Sequence, residues 1–443
     1  MAYGSDYDET FCPVVRQESL RTLAALSTQN GLQLHQIDVT TAFLNGSLEE
    51  EVYMQQPKGF VKSGEEHLVC KLNKSIYGLK QSPRCWNTTL DTQLRKMGFK
   101  QTTSDPCIYV RTAGDPFYMG VYVDDIVLAG KDEVSIEKVK KELGSKFDIK
   151  DLGKLNYFLG MTIVQNQEEK TTWIGQPDYT ARLLEKQGMK ECKPVGTPVS
   201  PGTHLEKLAE DEEVVEQQQY QSVVGSLMYL SVCTRPDIAY AVGTLARFSS
   251  KPGKSHWMAV KRVLRYLKGT ANDGILFRGG ERKNLVGYSD ADWAGDRQDR
   301  KSTSGYLFQI AGGPISWRSK KQGSVALSTA EAEYVALSSA AQETVWLRKL
   351  ISELKNPPEC PTVILEDNQS AIAMAKNPQF HGRSKHIDIK HHFIRERVSE
   401  KEIDLTYCPT DEMVADMLTK GLNKQQFAIL RQRAGMRSLD VAV

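Results

Sequence analysis

"GVYVDDIVLAG", residues 120–130, sets two adjacent aspartates, Asp124 and Asp125, inside a run that is otherwise apolar or small. Burying a carboxylate is costly unless something compensates it, and two side by side also repel each other. The flanking segments, 118–123 and 126–129, read as two short strands, so one account is a β-hairpin whose acidic tip is solvated. The other is a divalent cation, because Mg2+ takes oxygen ligands and is held by a few carboxylates plus substrate phosphates. The second account needs a third carboxylate elsewhere in the chain.

Working outward, the best partner stands in "LQLHQIDVTTAF". There Leu32, Leu34, Gln36 and Asp38 fall on one strand face at period two, so Asp38 continues an otherwise largely apolar row. A lone acid at a strand end is ordinarily a turn or cap residue. Joined to Asp124 and Asp125, it would complete a cluster suited to two Mg2+ ions about 4 Å apart.

The totals bound the rest. A chain of 443 residues holds two or three domains, and 40% hydrophobic with 25% charged residues is the balance of an ordinary globular protein. A net charge of +2 gives no bulk attraction to nucleic acid, so any basic surface must be local. The eight cysteines form no Cys-x-x-Cys pair, which argues against a disulfide framework or structural zinc and for an intracellular protein. No stretch approaches the roughly 18 apolar residues of a membrane span.

Residues 1–165 mix strands and helices without a strict βαβ repeat, which predicts an α+β domain. A Pro/Gly-rich then acidic linker lies near 191–218, inside a largely helical segment, 166–275. In "KSHWMAVKRVLRYLKG", Lys261, Arg265 and Lys268 flank an apolar stripe, either as a solvated face or as a ridge that follows phosphates. From 276 to 443 the order is strands including "GILFRG", a long helix, a strand, helices, a strand and a helix from "DEMVADMLTK". His381, His386, His391 and His392 cluster, but their spacing fits no common zinc pattern.

A second acidic set lies in this last segment. In "LVGYSDADW", Asp290 and Asp292 share a strand face with Val286 and Tyr288, and Asp367 ends the strand "TVILED". Glu331 falls in "STAE", a capping box with Ser328 as N-cap, and Asp416 lies opposite Val414, Met417 and Leu418 on the expected helix.

"QIDVTTAFLNG", "SIYGLKQSPRCW", "YVDD" and "YFLGMTI", in that order, resemble the reverse transcriptase of copia-type LTR retrotransposon Pol polyproteins. "SDADWAGD", "STAEAEY", "EDNQSA" and "VADMLTK" resemble the ribonuclease H domain of the same polyproteins. The resemblance implies a palm with partial fingers over 1–165, a thumb and connection over 166–275, and a ribonuclease H-like domain over 276–443. It implies that Asp38, Asp124 and Asp125, with the Val39 carbonyl, hold two Mg2+ ions, Mn2+ being a possible substitute. Phe43 stands where the family places the ring that excludes a ribose 2′-OH. Tyr77 and Gly78 fall in the segment under the templating base, and Phe158, Leu159, Gly160 and Met161 in the hairpin that grips the primer. Asp290, Glu331, Asp367 and Asp416 become the metal-binding carboxylates of the nuclease, with Asp292 the weaker choice beside Asp290.

The implied partners are an RNA template, a DNA primer, the RNA–DNA hybrid and deoxynucleoside triphosphates, with no membrane. The family carries a basic fingers segment ahead of "YGSDYDETF", so the resemblance leads one to expect a fragment, an isolated domain pair or a decayed copy. A nuclease alone, or a silent nucleic-acid-binding remnant, stand as the alternatives.

Overall fold

The computed structural model describes residues 9–111, 113–208, 213–280, 284–376 and 388–441. His381 and His386 lie outside the described residues. The chain forms two compact units, one running up to Leu20 with Leu32–Leu155 and Glu353–Lys355, the other holding Arg21–Gly31, Asn156–Ser352 and the chain from Asn356 onward.

The first unit is built on a six-stranded sheet in the order Phe99–Gln101, Ile108–Arg111, Tyr118–Tyr122, Asp125–Gly130, Gln33–Val39, Ile149–Lys154. Every neighbouring pair is antiparallel. The expected hairpin therefore forms, and the strand that carries Asp38 lies directly beside it. Two helices supply the apolar cover. Ser82–Lys96 has proline in its first turn and ends before Gly98, whose φ of +82° suits a helix stop. Glu133–Gly144 is capped by Asp132, which accepts from the Ser135 amide at 2.7 Å. Trp86, Leu90 and Leu94 of the first helix and Ile136, Val139 and Leu143 of the second join Ile37, Met119, Val121, Ile126 and Leu128 in one core.

The second unit contains two sheets. One is antiparallel, in the order Met436–Ser438, Asp273–Arg278, Thr171–Gly175, Met161–Asn166, Tyr157–Phe158. It takes the "GILFRG" strand away from the sheet that the sequence order suggested. The reason is local: Gly274 pairs with Gly175, and the Trp173 ring lies where a side chain at either glycine would stand. Helices Gln217–Cys233, Ala239–Ala246 and Lys254–Gly269 break at Pro236 and at Pro252-Gly253 rather than running through. Between them the wholly buried Arg235 guanidinium makes two bonds to Asp237, at 2.9 and 2.8 Å, and the Tyr266 hydroxyl donates to the same carboxylate at 2.5 Å. Burial alone would raise the Asp237 carboxyl, but the guanidinium and the hydroxyl hold it below its ordinary value.

The other sheet runs Gly313–Lys321, Thr303–Ile310, Val286–Asp292, Thr362–Glu366, Ile403–Tyr407. Its first three strands form an antiparallel meander, and the last two pair in parallel. Helix Thr329–Glu353 buries a long alanine-rich face. The "DEMVADMLTK" segment is not an α-helix. It folds as two short 3-10 turns, Thr410–Glu412 and Val414–Leu418, separated by Met413 in an extended conformation. At three residues per turn the polar face expected of an α-helix is lost, and all of Val414–Leu418, Asp416 included, is buried. No helix of the described residues is long and apolar enough to cross a membrane.

Candidate functional site

In the first unit, Asp38 and Asp125 are direct partners across adjacent strands. Tyr122 pairs with Asp125, so Val123 and Asp124 form a two-residue hairpin loop. Val123 takes φ +57°, a conformation that a β-branched side chain disfavours, so the loop must be held from outside. Two bonds hold it: the buried Trp86 indole donates to the Val123 carbonyl at 2.7 Å, and the Val39 amide donates to the Asp124 carbonyl at 2.9 Å. Gln36, two residues before Asp38, reaches Asp125 through its amide at 3.1 Å. Burial pushes the Asp125 carboxyl up, the neighbouring Asp124 and Asp38 add to this, and Gln36 opposes it. The period-two row that points to Asp38 already contains Gln36, and that alternation was the signal for it.

Phe43 and Tyr77, both expected near substrate, meet with ring centroids 4.9 Å apart and planes tilted by 58°. Tyr77 remains 56% exposed, and Gly78 beside it takes φ +98°. In the second unit, Phe158 and Met161 pair across a hairpin whose loop residues, Leu159 and Gly160, have φ +46° and +76°. The Tyr229 hydroxyl donates to the Leu159 carbonyl at 2.6 Å and fills the space where a Gly160 side chain would stand. On helix Lys254–Gly269, Lys261, Arg265 and Lys268 are half-buried. The Arg265 guanidinium is bonded to the Lys193 carbonyl at 2.7 Å, and Lys261 lies 5.9 Å from the centre of the Trp257 ring.

The second acidic set is tighter. Val286–Asp292 and Thr362–Glu366 run in parallel with Tyr288 opposite Leu365, so two residues further on each chain delivers an acid, Asp290 and Asp367, at the same edge of the sheet. Glu333, from the first turns of helix Thr329–Glu353, completes a trio whose ligand oxygens all lie within 4.8 Å of one another. Among the described residues no other acidic, histidine or cysteine set is so compact. Asp38, Asp124 and Asp125 share a strand end but not that spacing.

Glu331 is not in the trio. Its carboxylate accepts from the Leu327 amide at 2.9 Å, one residue before the expected N-cap, while Ser328 Oγ accepts from the Glu331 amide at 3.2 Å, so only the Ser328 half of the expected capping box forms. Residues two apart on a helix point about 200° from each other, and it is Glu333 that lies at the sheet edge with Asp290 and Asp367. Glu333 rather than Glu331 is thus the glutamate that the structure brings together with Asp290 and Asp367, and "STAEAEY" contained both.

Around the trio, Thr419 donates to Asp290 Oδ2, Thr410 donates to Asp367 Oδ2 at 2.9 Å, and Lys420 pairs with Asp416 at 2.8 Å. Glu366, wholly buried beside Asp367, is a further carboxylate that the strand pattern alone did not single out. With several acids out of water together, proton loss is disfavoured. Burial, then Glu366, Asp290 and Asp367, push the Glu333 carboxyl up to about 12, and burial with Asp290 pushes Asp416 up to about 8, against the pull of Lys420. Glu366 and Asp290 are raised as well, chiefly by burial. Asp292 is raised by burial but stands outside the trio. An all-oxygen set of two buried carboxylates and the half-buried Asp367, with Glu333 Oε2 lacking a hydrogen-bond partner, fits a hard dication such as Mg2+ or Mn2+.

Residues 2–201 match the family described as reverse transcriptase (RNA-dependent DNA polymerase). The chain is 46% identical over 442 residues to the retrovirus-related Pol polyprotein from transposon TNT 1-94 of Nicotiana tabacum, covering 98% of this chain and 33% of that one. It thus spans about a third of the length of that curated relative. It is 35% identical over 309 residues to a putative transposon Ty5-1 protein of Saccharomyces cerevisiae, covering 69% of this chain and all of that one. A solved ribonuclease H1 in complex with an RNA/DNA hybrid aligns at 15% identity and TM-score 0.25, over 30% of this chain and 93% of that one. The sheet of the second acidic set is a three-stranded antiparallel meander followed by two parallel strands. With the family match over residues 2–201 and relatives at 46% and 35% identity, the second of them covered in full, the chain belongs to the copia-type retrotransposon Pol polyproteins.

Proposed function

We propose that the chain copies RNA into DNA at the first acidic cluster and cuts the RNA strand of the resulting hybrid at the second. The observation that carries the reading is the convergence of Asp290, Glu333 and Asp367 within 4.8 Å at the edge of that mixed sheet. It is joined by the pairing of Asp38 with Asp125 beside a clamped Val123-Asp124 loop.

In this reading Asp38, Asp124, Asp125 and the Val39 carbonyl hold Mg2+ or Mn2+ for polymerisation, and Asp290, Glu333, Asp367 and Asp416 hold it for cleavage. Bound dications supply charge neutralisation at the scissile phosphate and lower the pKa of the attacking oxygen. The chain's own part is orientation. Trp86 and the Val39 amide fix the loop that presents Asp124, Gln36 fixes Asp125, and the hydroxyls of Thr419 and Thr410 fix Asp290 and Asp367. Phe43, packed on Tyr77, stands under the sugar of the incoming deoxynucleoside triphosphate, with Gly78 beneath the base. The hairpin at Phe158–Met161 bears on the DNA primer, and Lys261, Arg265 and Lys268 track phosphates of the RNA template or hybrid. Palm, thumb with connection, and ribonuclease H then correspond to 1–165, 166–275 and 276–443.

The nuclease-only reading is favoured by one feature, the wider spacing of the first cluster. A single assay separates the two. The purified chain is given a labelled DNA primer on a longer RNA template, with deoxynucleoside triphosphates and Mg2+. Primer extension and RNA cleavage, both stopped by EDTA, are expected. Cleavage without extension would support the nuclease alone, and neither activity in Mg2+ or Mn2+ would overturn both readings.

A further inference from the structure

Lys420 is the cation of the second cluster. Its Nζ lies 2.8 Å from Asp416 Oδ1 and 3.8 Å from Asp290 Oδ1, and both of these carboxylates are almost wholly buried, at 4% and 2% exposure. The lysine side chain itself is 33% exposed, so it enters the cluster from the solvent side. Asp290 is therefore shared. It is one corner of the compact trio with Glu333 and Asp367, and its Oδ1 also faces the ammonium, while its Oδ2 is fixed by Thr419. Asp416 stands outside the trio, paired with the lysine.

We propose that Lys420 is a tethered counter-cation on the Asp290–Asp416 side of the cluster, which a dication displaces when it binds there. The proposal rests on the reading of this cluster as a divalent-cation site. A buried carboxylate pair without a cation is costly, and the ammonium meets that cost in the metal-free protein. A dication carries twice the charge and can take several oxygens at once, whereas an ammonium donates single bonds from a flexible four-carbon stem that can swing into water. Among the described residues the Lys420 ammonium pairs with Asp290 and Asp416 and with neither Glu333 nor Asp367. The two cation positions are thus unequal: the Glu333 side fills first, and the Asp416 side fills only as Lys420 leaves. Lys420 is a positioning residue in this scheme, setting the concentration of metal at which the second position is occupied.

The test is Mn2+ binding, followed by calorimetry on the full chain with the first cluster silenced by Asp124→Asn and Asp125→Asn, and compared among Lys420, Lys420→Arg and Lys420→Gln. Two events are expected with the lysine. Lys420→Gln should tighten the weaker one about tenfold and leave the stronger within about threefold, while Lys420→Arg should keep the lysine pattern. Melting curves supply a second readout. Lys420→Gln should melt below the parent in EDTA and recover more than the parent does on adding Mn2+. A lysine that only pins the local turn would lower the melting temperature in both conditions and tighten nothing. Unchanged or weakened second binding in Lys420→Gln, with the first event intact, would overturn the proposal and leave the cluster reading standing. Absence of any Mn2+ binding in all three proteins would overturn the cluster reading and the proposal with it.

Discussion

Glu333→Gln should lower cleavage of an RNA–DNA hybrid at least about a hundredfold, since losing even an outer-sphere partner of a metal ligand typically costs tenfold to a hundredfold. Glu331→Gln should leave cleavage within about threefold, because glutamine can still accept from the Leu327 amide and keep the helix cap. The contrast is sharp because the two residues stand two apart on one helix and have the same chemistry. Glu333 is one of three carboxylates whose oxygens lie within 4.8 Å, whereas Glu331 is spent on the helix start. With its carboxyl pushed up to about 12, Glu333 is already neutral in the metal-free protein, so Glu333→Gln should melt close to the parent in EDTA and should gain less from added Mg2+. Rates and melting curves across a Mg2+ titration check both halves. Equal loss from the two substitutions, or greater loss from Glu331→Gln, would remove Glu333 from the site.

The second large effect concerns stability. Asp237→Ala strips the partner from the wholly buried Arg235, and leaving a buried charge unpaired costs about 3–5 kcal/mol. Tyr266 loses its acceptor in the same step. The readout is intrinsic fluorescence during urea unfolding. Trp173, Trp257, Trp293, Trp317 and Trp346 all fall in the second unit and Trp86 alone in the first, so the signal reports mainly the unit that Asp237 belongs to. The midpoint should fall steeply at unchanged slope. Replacing both members of the pair with apolar residues of similar size should recover much of the loss, since the penalty comes from the orphaned charge rather than from the absent bond. A midpoint within experimental scatter of the parent would show that water reaches Arg235.

Much of this molecule was legible in its sequence. The period-two rows through Asp38 and Asp290 are strands with those acids near their ends, and "GVYVDDIVLAG" is a hairpin, although its loop is Val123-Asp124 rather than the Asp124-Asp125 pair, which leaves Asp125 in the second strand. What failed to read out depended on pairing between distant segments. Nothing in "GILFRG" reveals that Gly274 must lie against Gly175 under the Trp173 ring, which draws that strand into another sheet. The segment around Asp416 carried an amphipathic α pattern, but its 3-10 turns bury the acid that the pattern placed in water. At "STAEAEY" the local signal was the better guide: Glu331 does bond at the helix start, to Leu327 and Ser328, and helical spacing then left Glu333 as the residue at the sheet edge. Glu366 and Lys420 could not be singled out before the parallel pairing and the 3-10 turn brought them to the same cluster, since each is an ordinary charged residue in its own segment.

The central claim, that one chain carries two separate carboxylate sites for synthesis and for cleavage, is tested most directly by crossing two substitutions in one reaction. A chain active in both steps, its Asp124→Asn form and its Glu333→Gln form are each given the primed RNA template with deoxynucleoside triphosphates and Mg2+, and extension and cleavage are read from the same samples. The account predicts a double dissociation: Asp124→Asn loses extension and keeps cleavage, and Glu333→Gln loses cleavage and keeps extension. Loss of both activities from either folded variant, or loss of neither, would contradict it.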